Sequence, residues 1–271
     1  LGKLKRSERI AALTRYLVGQ PGKVFSLTKI SEEFGAAKST LSEDIGLMKD
    51  TYQAMALGEI NTFSGVSGGV TYFPGKTSKQ IDRIVEEFCD VLSQPERILP
   101  GGFIYMTDVI FSPRWSAELG EVFATAFRDK HPEYVVTVET KGIPVALMTA
   151  RAFDIPLVIL RRDSRVTEGS SVSINYVSGT GEKIQTMSLP KRALPNGSRV
   201  LLIDDFMRGG GTARGMLDLL AEFEAIPVGF GVLVKTAEPQ EKLITDMIAL
   251  TTLEKVDKTN KEISIKNSFK L

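Results

Sequence analysis

The stretch Val200-Leu201-Leu202-Ile203-Asp204-Asp205-Phe206-Met207-Arg208-Gly209-Gly210-Gly211-Thr212 constrains this chain more than any other. Four apolar residues in a row read as a strand buried on both faces, the pattern of a parallel sheet. Asp204 and Asp205 stand where that strand ends. In an open α/β sheet that end faces the crevice where ligands bind. The glycine run then turns into a helix that starts near Thr212 and carries Met216, Leu217, Leu220 and Phe223 toward the sheet. Glycines permit the dihedrals and the close approach by which the backbone N–H groups of Arg208 through Thr212 can wrap a phosphate. The helix N-terminus adds partial positive charge, and the Thr212 hydroxyl can donate. Carboxylates at Asp204 and Asp205 can accept from vicinal ribose hydroxyls. The segment fits a ribose 5-phosphate, and two acids beside a phosphate suggest that a divalent cation shares the site. The plain alternative is a structural strand-loop-helix with a glycine turn.

With Tyr134–Val138, Leu157–Leu160 and Val228–Val234, the strand Val200–Ile203 makes four β-rich runs, three of them near-continuous apolar runs of the kind buried on both faces of a parallel sheet. Helical segments separate most of them, which predicts an α/β fold built on a parallel sheet with flanking helices. One such helix, residues 78–92, carries Ile81, Ile84, Val85, Phe88, Val91 and Leu92 as a single stripe. Another carries Trp115, Leu119, Val122, Phe123 and Phe127, after a short strand at Phe103-Ile104-Tyr105. Between Arg161 and Asn196 the pattern becomes polar and alternating, which predicts an antiparallel β flap with its tip at Ser178-Gly179-Thr180-Gly181. These features place a domain over residues 75–271.

Residues 1–74 read differently. A helix starting near Ser7, a good N-cap, puts Ile10, Leu13, Tyr16 and Leu17 on one face. Ser26 can cap a second helix carrying Leu27, Ile30 and Phe34, and Gly35 supplies a turn. A third helix from Ala37-Lys38-Ser39 sends Leu41, Ile45 and Met48 inward and leaves Lys38, Ser39, Thr40, Ser42 and Glu43 on or near the exposed side. Residues 58–74 then form a hairpin with a glycine-rich tip. Two short helices meeting at a glycine turn, followed by a hairpin, are the parts of a winged helix-turn-helix. The second helix of such a pair lays its N-terminal residues against base edges. Lys38, Ser39, Thr40 and Ser42 suit that position, and Ser67 and Gly68 at the wing tip suit a phosphate backbone. Lys3, Lys5, Arg6, Arg9 and Arg15 face only Glu8 within the first fifteen residues, which suits phosphate contact by Lys5 and Arg6 or a solvated helix face. A small helical domain used for dimer contacts fits these residues too.

Net charge is +1, so bulk charge carries no message about nucleic acid. The lone cysteine, Cys89, excludes an internal disulfide framework, and with one histidine, His131, it argues against a Cys/His metal site. A Ser-His-Asp hydrolase would need that histidine, and no G-x-S-x-G elbow accompanies it. His131 beside Pro132 is expected at the surface. No apolar run approaches the roughly 18–20 residues of a membrane span, and LGKLKRSERI has no apolar core of a signal-peptide kind. The expected location is the cytoplasm, with no membrane partner.

Residues 200–212 resemble the phosphoribosyl pyrophosphate (PRPP) signature of type I phosphoribosyltransferases. Thr140-Lys141-Gly142-Ile143-Pro144 follows a strand where such enzymes place their pyrophosphate loop. That loop often carries a non-proline cis peptide, by position the one joining Thr140 to Lys141. The whole chain resembles the purine operon repressor family of Gram-positive bacteria. The matching stretches include Ala37-Lys38-Ser39, Ser42-Glu43-Asp44, Pro95–Gly102, Val166–Ser170, Ser173–Gly179 and Asp204–Thr212. The second domain is also close to bacterial xanthine phosphoribosyltransferases.

The resemblance implies a homodimeric DNA-binding regulator of purine genes that responds to PRPP, with Mg2+, and performs no catalysis. It implies PRPP contacts at Thr140, Lys141, Gly142, Asp204, Asp205, Phe206, Met207, Arg208, Gly209, Gly210, Gly211 and Thr212. It also implies that PRPP relieves DNA binding, a sign the residues themselves leave open between repression and activation. Many catalytic members have hydroxyl or small residues where this chain has Arg208-Gly209. The rival readings are an active purine phosphoribosyltransferase and a DNA-binding protein whose second domain is only a scaffold.

Overall fold

The structure is a computed structural model that describes residues 4–63, 65, 68–162, 169–178 and 183–270. Its first elements are α1 (Arg6–Gly19), β1 (Phe25–Ser26), α2 (Leu27–Phe34), α3 (Lys38–Ala54), β2 (Glu59–Phe63) and β3 (Gly69–Phe73). Helix α1 begins one residue before Ser7. The Lys5 N–H donates to the Glu8 carboxylate at 2.7 Å, so an acid in the first turn satisfies the helix start in place of a serine cap. The apolar positions at three- and four-residue spacing converge as expected. Leu13, Leu17, Ile30, Phe34, Leu41, Ile45 and Met48 form one core with Ile60, Val70 and Tyr72 of the hairpin. The strands order β1-β3-β2, all antiparallel, so β3 is central and buried along its length. Strand β1 has two residues, too few to display a period.

The buried charge of this unit is Asp44, on the inner face of α3 and fully buried. Arg9 of α1 donates to it through Nε at 2.7 Å, and Arg6 reaches the other oxygen at 3.2 Å. Arg9 also donates to the Leu4 carbonyl at 2.9 Å. Arg9 is itself buried, so it belongs to the core and not to the basic surface that the N-terminal sequence suggested. A buried carboxylate without an arginine would carry an uncompensated desolvation cost.

Contacts divide the chain into two units, residues up to Thr77 with Arg151–Asp154, and residues 78–150 with 155–271. The second unit opens with α4 (Ser78–Leu92), β4 (Ile98–Leu99), β5 (Phe103–Ile104), α5 (Thr107–Ile110) and α6 (Pro113–Ala126). Then follow β6 (Tyr134–Val138), α7 (Ile143–Phe153), β7 (Leu157–Leu160), β8 (Ser171–Ser178), β9 (Lys183–Pro190), β10 (Arg199–Met207) and α8 (Gly211–Ala221). The chain continues through β11 (Ile226–Thr236), β12 (Ile248–Asp257) and β13 (Glu262–Asn267). Six strands form one sheet in the order β13-β12-β11-β10-β6-β7, parallel except for the β12–β13 pair. The fold is α/β, as the apolar runs predicted. Among the described residues, strands β8 and β9 pair only with each other, apart from an Arg161–Ser188 bridge. The flap is thus a separate ribbon hung from the sheet. Its tip, predicted at 178–181, lies mostly outside the described residues. His131 is exposed, following a short 3-10 turn at Arg128–Lys130.

The sheet order has one consequence for a ligand. After β6 the chain passes to β7 on one side and later returns as β10 on the other. Val200, Leu201 and Leu202 of β10 pair with Tyr134, Val135 and Val136 of β6. The loops leaving β6 and β10 therefore diverge and open a crevice between them, the topological switch point of an open α/β sheet.

Asp44→Ala is expected to destabilise the N-terminal unit by roughly 3–5 kcal/mol, because it leaves Arg9 buried and unpaired. Denaturant unfolding of the variant against the parent checks this, and a loss within error would mean the pair contributes nothing.

Candidate functional site

The loops at the switch point carry the residues that the sequence singled out. Gly142 packs against the end of β10: a Cβ there would collide with Thr137 Oγ1 and lie 3.6 Å from the Asp204 Cα. Glycine here lets the loop fold back over Thr137 of its own strand while it lies in van der Waals contact with β10, and Lys141 beside it carries a charge that acts on Asp205. The non-proline cis peptide of this loop joins Glu139 to Thr140, one position earlier than expected, because β6 ends at Val138 and the turn starts at once. Strand β10 continues to Met207, and α8 begins at Gly211 with Gly210 as its cap at φ 89. Thr140 and Lys141 are exposed, Thr212 is half-buried and Gly211 is buried.

The two acids differ. Asp204 is 4% exposed, whereas the sequence placed both carboxylates at the crevice. Its Oδ1 accepts the Asp205 N–H at 2.9 Å. Burial holds the Asp204 carboxyl well above the usual carboxylate range, and the neighbouring Asp205 charge pushes the same way. Burial also raises Asp205, against the opposing pull of its hydrogen bond with Asp204 and the charges of Lys141 and Arg162. An acid pair so poorly solvated gains from a ligand that donates hydroxyl hydrogen bonds.

Asp205 lines a cleft of about 850 Å³, together with Lys141, Phe206 and Arg208 of the expected set. That size suits a small ligand. Its lining includes the apolar Phe103, Ile104, Met106, Leu253 and Val256, together with charged residues such as Glu238 and Lys258. Met207 turns the other way: its side chain is 2% exposed within the core, so it can offer a ligand only its backbone.

Two residues that sequence reasoning missed face the acids. Arg162, just past β7, exerts its charge on both Asp204 and Asp205. Its backbone N–H donates to the Glu139 carboxylate at 2.7 Å, which ties the start of the flap to the β6 loop. Tyr176 of β8 packs on α8, its Cγ at 2.8 Å from where a Gly215 Cβ would stand. Its hydroxyl donates to Gln185 Oε1 at 2.7 Å. Burial raises the Tyr176 phenol, opposed by the Arg162 charge and a hydrogen bond with Thr212. No local motif announces either residue. Among the described residues no group of three or more His, Cys, Asp or Glu could hold a metal ion.

In the N-terminal unit, Lys38, Ser39 and Ser42 are exposed on the first turns of α3 and Thr40 is half-buried. Ser42 Oγ donates to the Lys38 carbonyl at 2.9 Å. Lys5 is exposed, and Arg6 is 54% exposed while paired with Asp44. Gly68 keeps its backbone within the wing, donating to the Gly65 carbonyl at 2.9 Å. Lys3 and Ser67 lie outside the described residues.

A winged helix joined to a phosphoribosyltransferase fold defines the class of this protein. Residues 5–74 match the family Bacterial purine repressor, N-terminal, and residues 110–266 match the Phosphoribosyl transferase domain family. The purine biosynthesis transcriptional repressor PurR of Bacillus subtilis (strain 168) is 44% identical over 265 residues, 98% of this chain and 93% of that one. The purine biosynthesis transcriptional activator PurR of Lactococcus lactis subsp. lactis (strain IL1403) is 36% identical over 262 residues, 97% of each chain. The chain belongs to the PurR family of purine biosynthesis transcriptional regulators. Among solved structures, the adenine phosphoribosyltransferase from Thermoanaerobacter pseudethanolicus superposes with a TM-score of 0.52 at 20% identity, covering 61% of this chain and 98% of that one. At that identity the likeness speaks for the fold alone. Among the described residues no helix is long and apolar enough to cross a membrane.

The raised Asp204 carboxyl makes a pH prediction with a definite sign. The folded chain keeps a proton that the unfolded chain has released, so stability falls as pH rises from the usual carboxylate range through the folded-state value. Asp204→Asn keeps an acceptor for the Asp205 N–H and removes that loss. Its melting temperature should exceed the parent's by a gap that widens with pH, at up to about 1.4 kcal/mol per pH unit inside the window. Melts across a pH series check this, and a constant gap would contradict it.

Proposed function

We propose that this chain is a homodimeric, cytoplasmic DNA-binding regulator of purine biosynthesis genes whose second unit binds PRPP as an effector without turning it over. The observation that carries the effector reading is the crevice where Lys141, Asp205 and Arg208 line one cleft beside the glycine-capped start of α8. Each part of PRPP has a counterpart there. The 5-phosphate takes the N–H groups of residues 208–212 and the helix N-terminus. The ribose diol donates to Asp205, with Asp204 behind it. The pyrophosphate takes the loop Thr140-Lys141-Gly142, with Arg162 near the acids. Mg2+, if bound, would offset the charge of the pyrophosphate and take most of its oxygen ligands from that group and water. Asp205 is the protein carboxylate in reach, a set that fits a cation needing only one or two protein ligands.

The full-length likeness to regulators, and Arg208-Gly209 in the phosphate loop, support a sensing role over catalysis. Lys38, Ser39, Thr40 and Ser42 are the proposed base-reading residues. Lys5, Arg6, Ser67 and Gly68 are the proposed backbone contacts. A two-fold dimer suits a paired operator site upstream of purine genes. Relatives matched over nearly the whole chain carry the words repressor and activator in their names, so the domain order alone does not set the sign. In the reading proposed, PRPP relieves repression. By linkage, PRPP then lowers affinity for DNA by the factor by which DNA lowers affinity for PRPP.

The test is binding to the DNA upstream of purine genes with and without magnesium PRPP at fixed salt, since salt alone shifts such affinities. A PRPP-dependent fall is expected, a rise would reverse the sign, and no shift would remove PRPP as the signal. Asp205→Ala should abolish the PRPP response and leave DNA affinity in place, measured in the same titration. Lys38→Ala should weaken operator binding by roughly 1–3 kcal/mol, and a change within error would take Lys38 out of the recognition surface.

A further inference from the structure

We propose that Lys242 is a positioning residue that aims the phosphate loop's N–H groups at the ligand; this rests on the 5-phosphate assignment above. The Lys242 Nζ donates to the Arg208 carbonyl at 2.7 Å and to the Pro239 carbonyl at 2.8 Å. The next residue continues the hold, with the Leu243 N–H donating to the Gly209 carbonyl at 3.0 Å. The strap also sits directly against the helix cap: a Cβ on Gly210 would lie 3.3 Å from the Leu243 nitrogen and 3.4 Å from the Ile244 nitrogen. Residues 239–244 thus clasp three consecutive residues of the loop from outside.

Peptide geometry turns this clasp into an orientation. The peptides after Arg208 and Gly209 are trans. In a planar trans peptide the carbonyl of one residue and the N–H of the next point in opposite directions. Drawing the Arg208 and Gly209 carbonyls toward the strap turns the Gly209 and Gly210 N–H groups away from it, to the side on which the 5-phosphate is proposed. A bare glycine run has no side chains to hold such an arrangement and would otherwise pay for it on binding. A charged donor on the Arg208 carbonyl also polarises that peptide and strengthens the Gly209 N–H as a donor. Burial, with the Lys235 charge adding to it, pulls the Lys242 ammonium below its ordinary value, as expected for a cation committed to carbonyls instead of water.

The test separates the two ends of the ligand. Lys242→Met keeps the apolar stem and removes the donors. Its affinity for ribose 5-phosphate should fall about tenfold, while affinity for inorganic pyrophosphate, held at the Lys141 loop, stays within error. Lys242→Arg, which can reach both carbonyls, should recover most of the loss. Calorimetric titration of both probes into the full chain reads the result, with pyrophosphate binding reporting that the variant is folded. Unchanged ribose 5-phosphate affinity in Lys242→Met would overturn the inference, and so would equal loss of both probes. A parent chain that takes up PRPP but shows neither pattern in the variant sinks only the role of Lys242. A parent chain that binds none of the three ligands sinks the effector site itself.

Discussion

The pairing of β10 with β6 is the interaction on which the site depends. Hydrogen bonds between Val200–Leu202 and Tyr134–Val136 join strands separated in sequence by β7 and the whole flap. Because the chain reverses direction across the sheet at that pair, two loops that would otherwise run alongside each other part and leave a crevice. The β6 loop brings Lys141, and the β10 loop brings Asp205 and Arg208, to one cleft. Gly142 lets the β6 loop fold tightly over its own strand, since a side chain there would strike Thr137.

Two buried aspartates show how the chain uses charge in two ways. Asp44 in the N-terminal unit is matched by Arg9 at 2.7 Å and Arg6 at 3.2 Å, so its charge is balanced within the fold. It ties α1 to the helix that carries the exposed Lys38 and Ser39. Asp204 is buried beside another acid, with Arg162 as an opposing charge and no arginine hydrogen-bonded to it among the described contacts. The fold bears that cost at the crevice, where a ligand's hydroxyl groups could relieve it. In the proposed reading, the ligand offsets a cost that the unliganded fold carries at this cleft.

Local patterns were legible wherever one element carried the whole signal. The strand, acids, glycine run and helix of residues 200–212 lie in one continuous stretch, so their order alone defined a β–loop–α unit. The same holds for α4, for α6 and for the hairpin of residues 58–74. Strands β12 and β13 were not anticipated: β12 mixes buried threonines with apolar residues, and β13 is short and polar. Arg9 looked like surface because a basic residue beside basic residues gives no sign of a partner 35 positions away. Arg162, Tyr176 and Lys242 carry no motif at all, because a lone charged or aromatic residue is common on any surface.

The sequence by itself determined the two kinds of unit, the buried strand with its acids, the glycine turn and the exposed start of α3. These follow from periodicity and backbone permissiveness, which act over a few residues. Only the tertiary structure decided which acid is buried and which faces the cleft, which cations oppose them, and which strap holds the loop at residues 208–210. Those outcomes depend on strand order and on contacts such as Lys242 with Arg208, 34 residues apart. Side-chain direction at such distances is set by how the sheet is wound, and no local pattern of residue types records that winding.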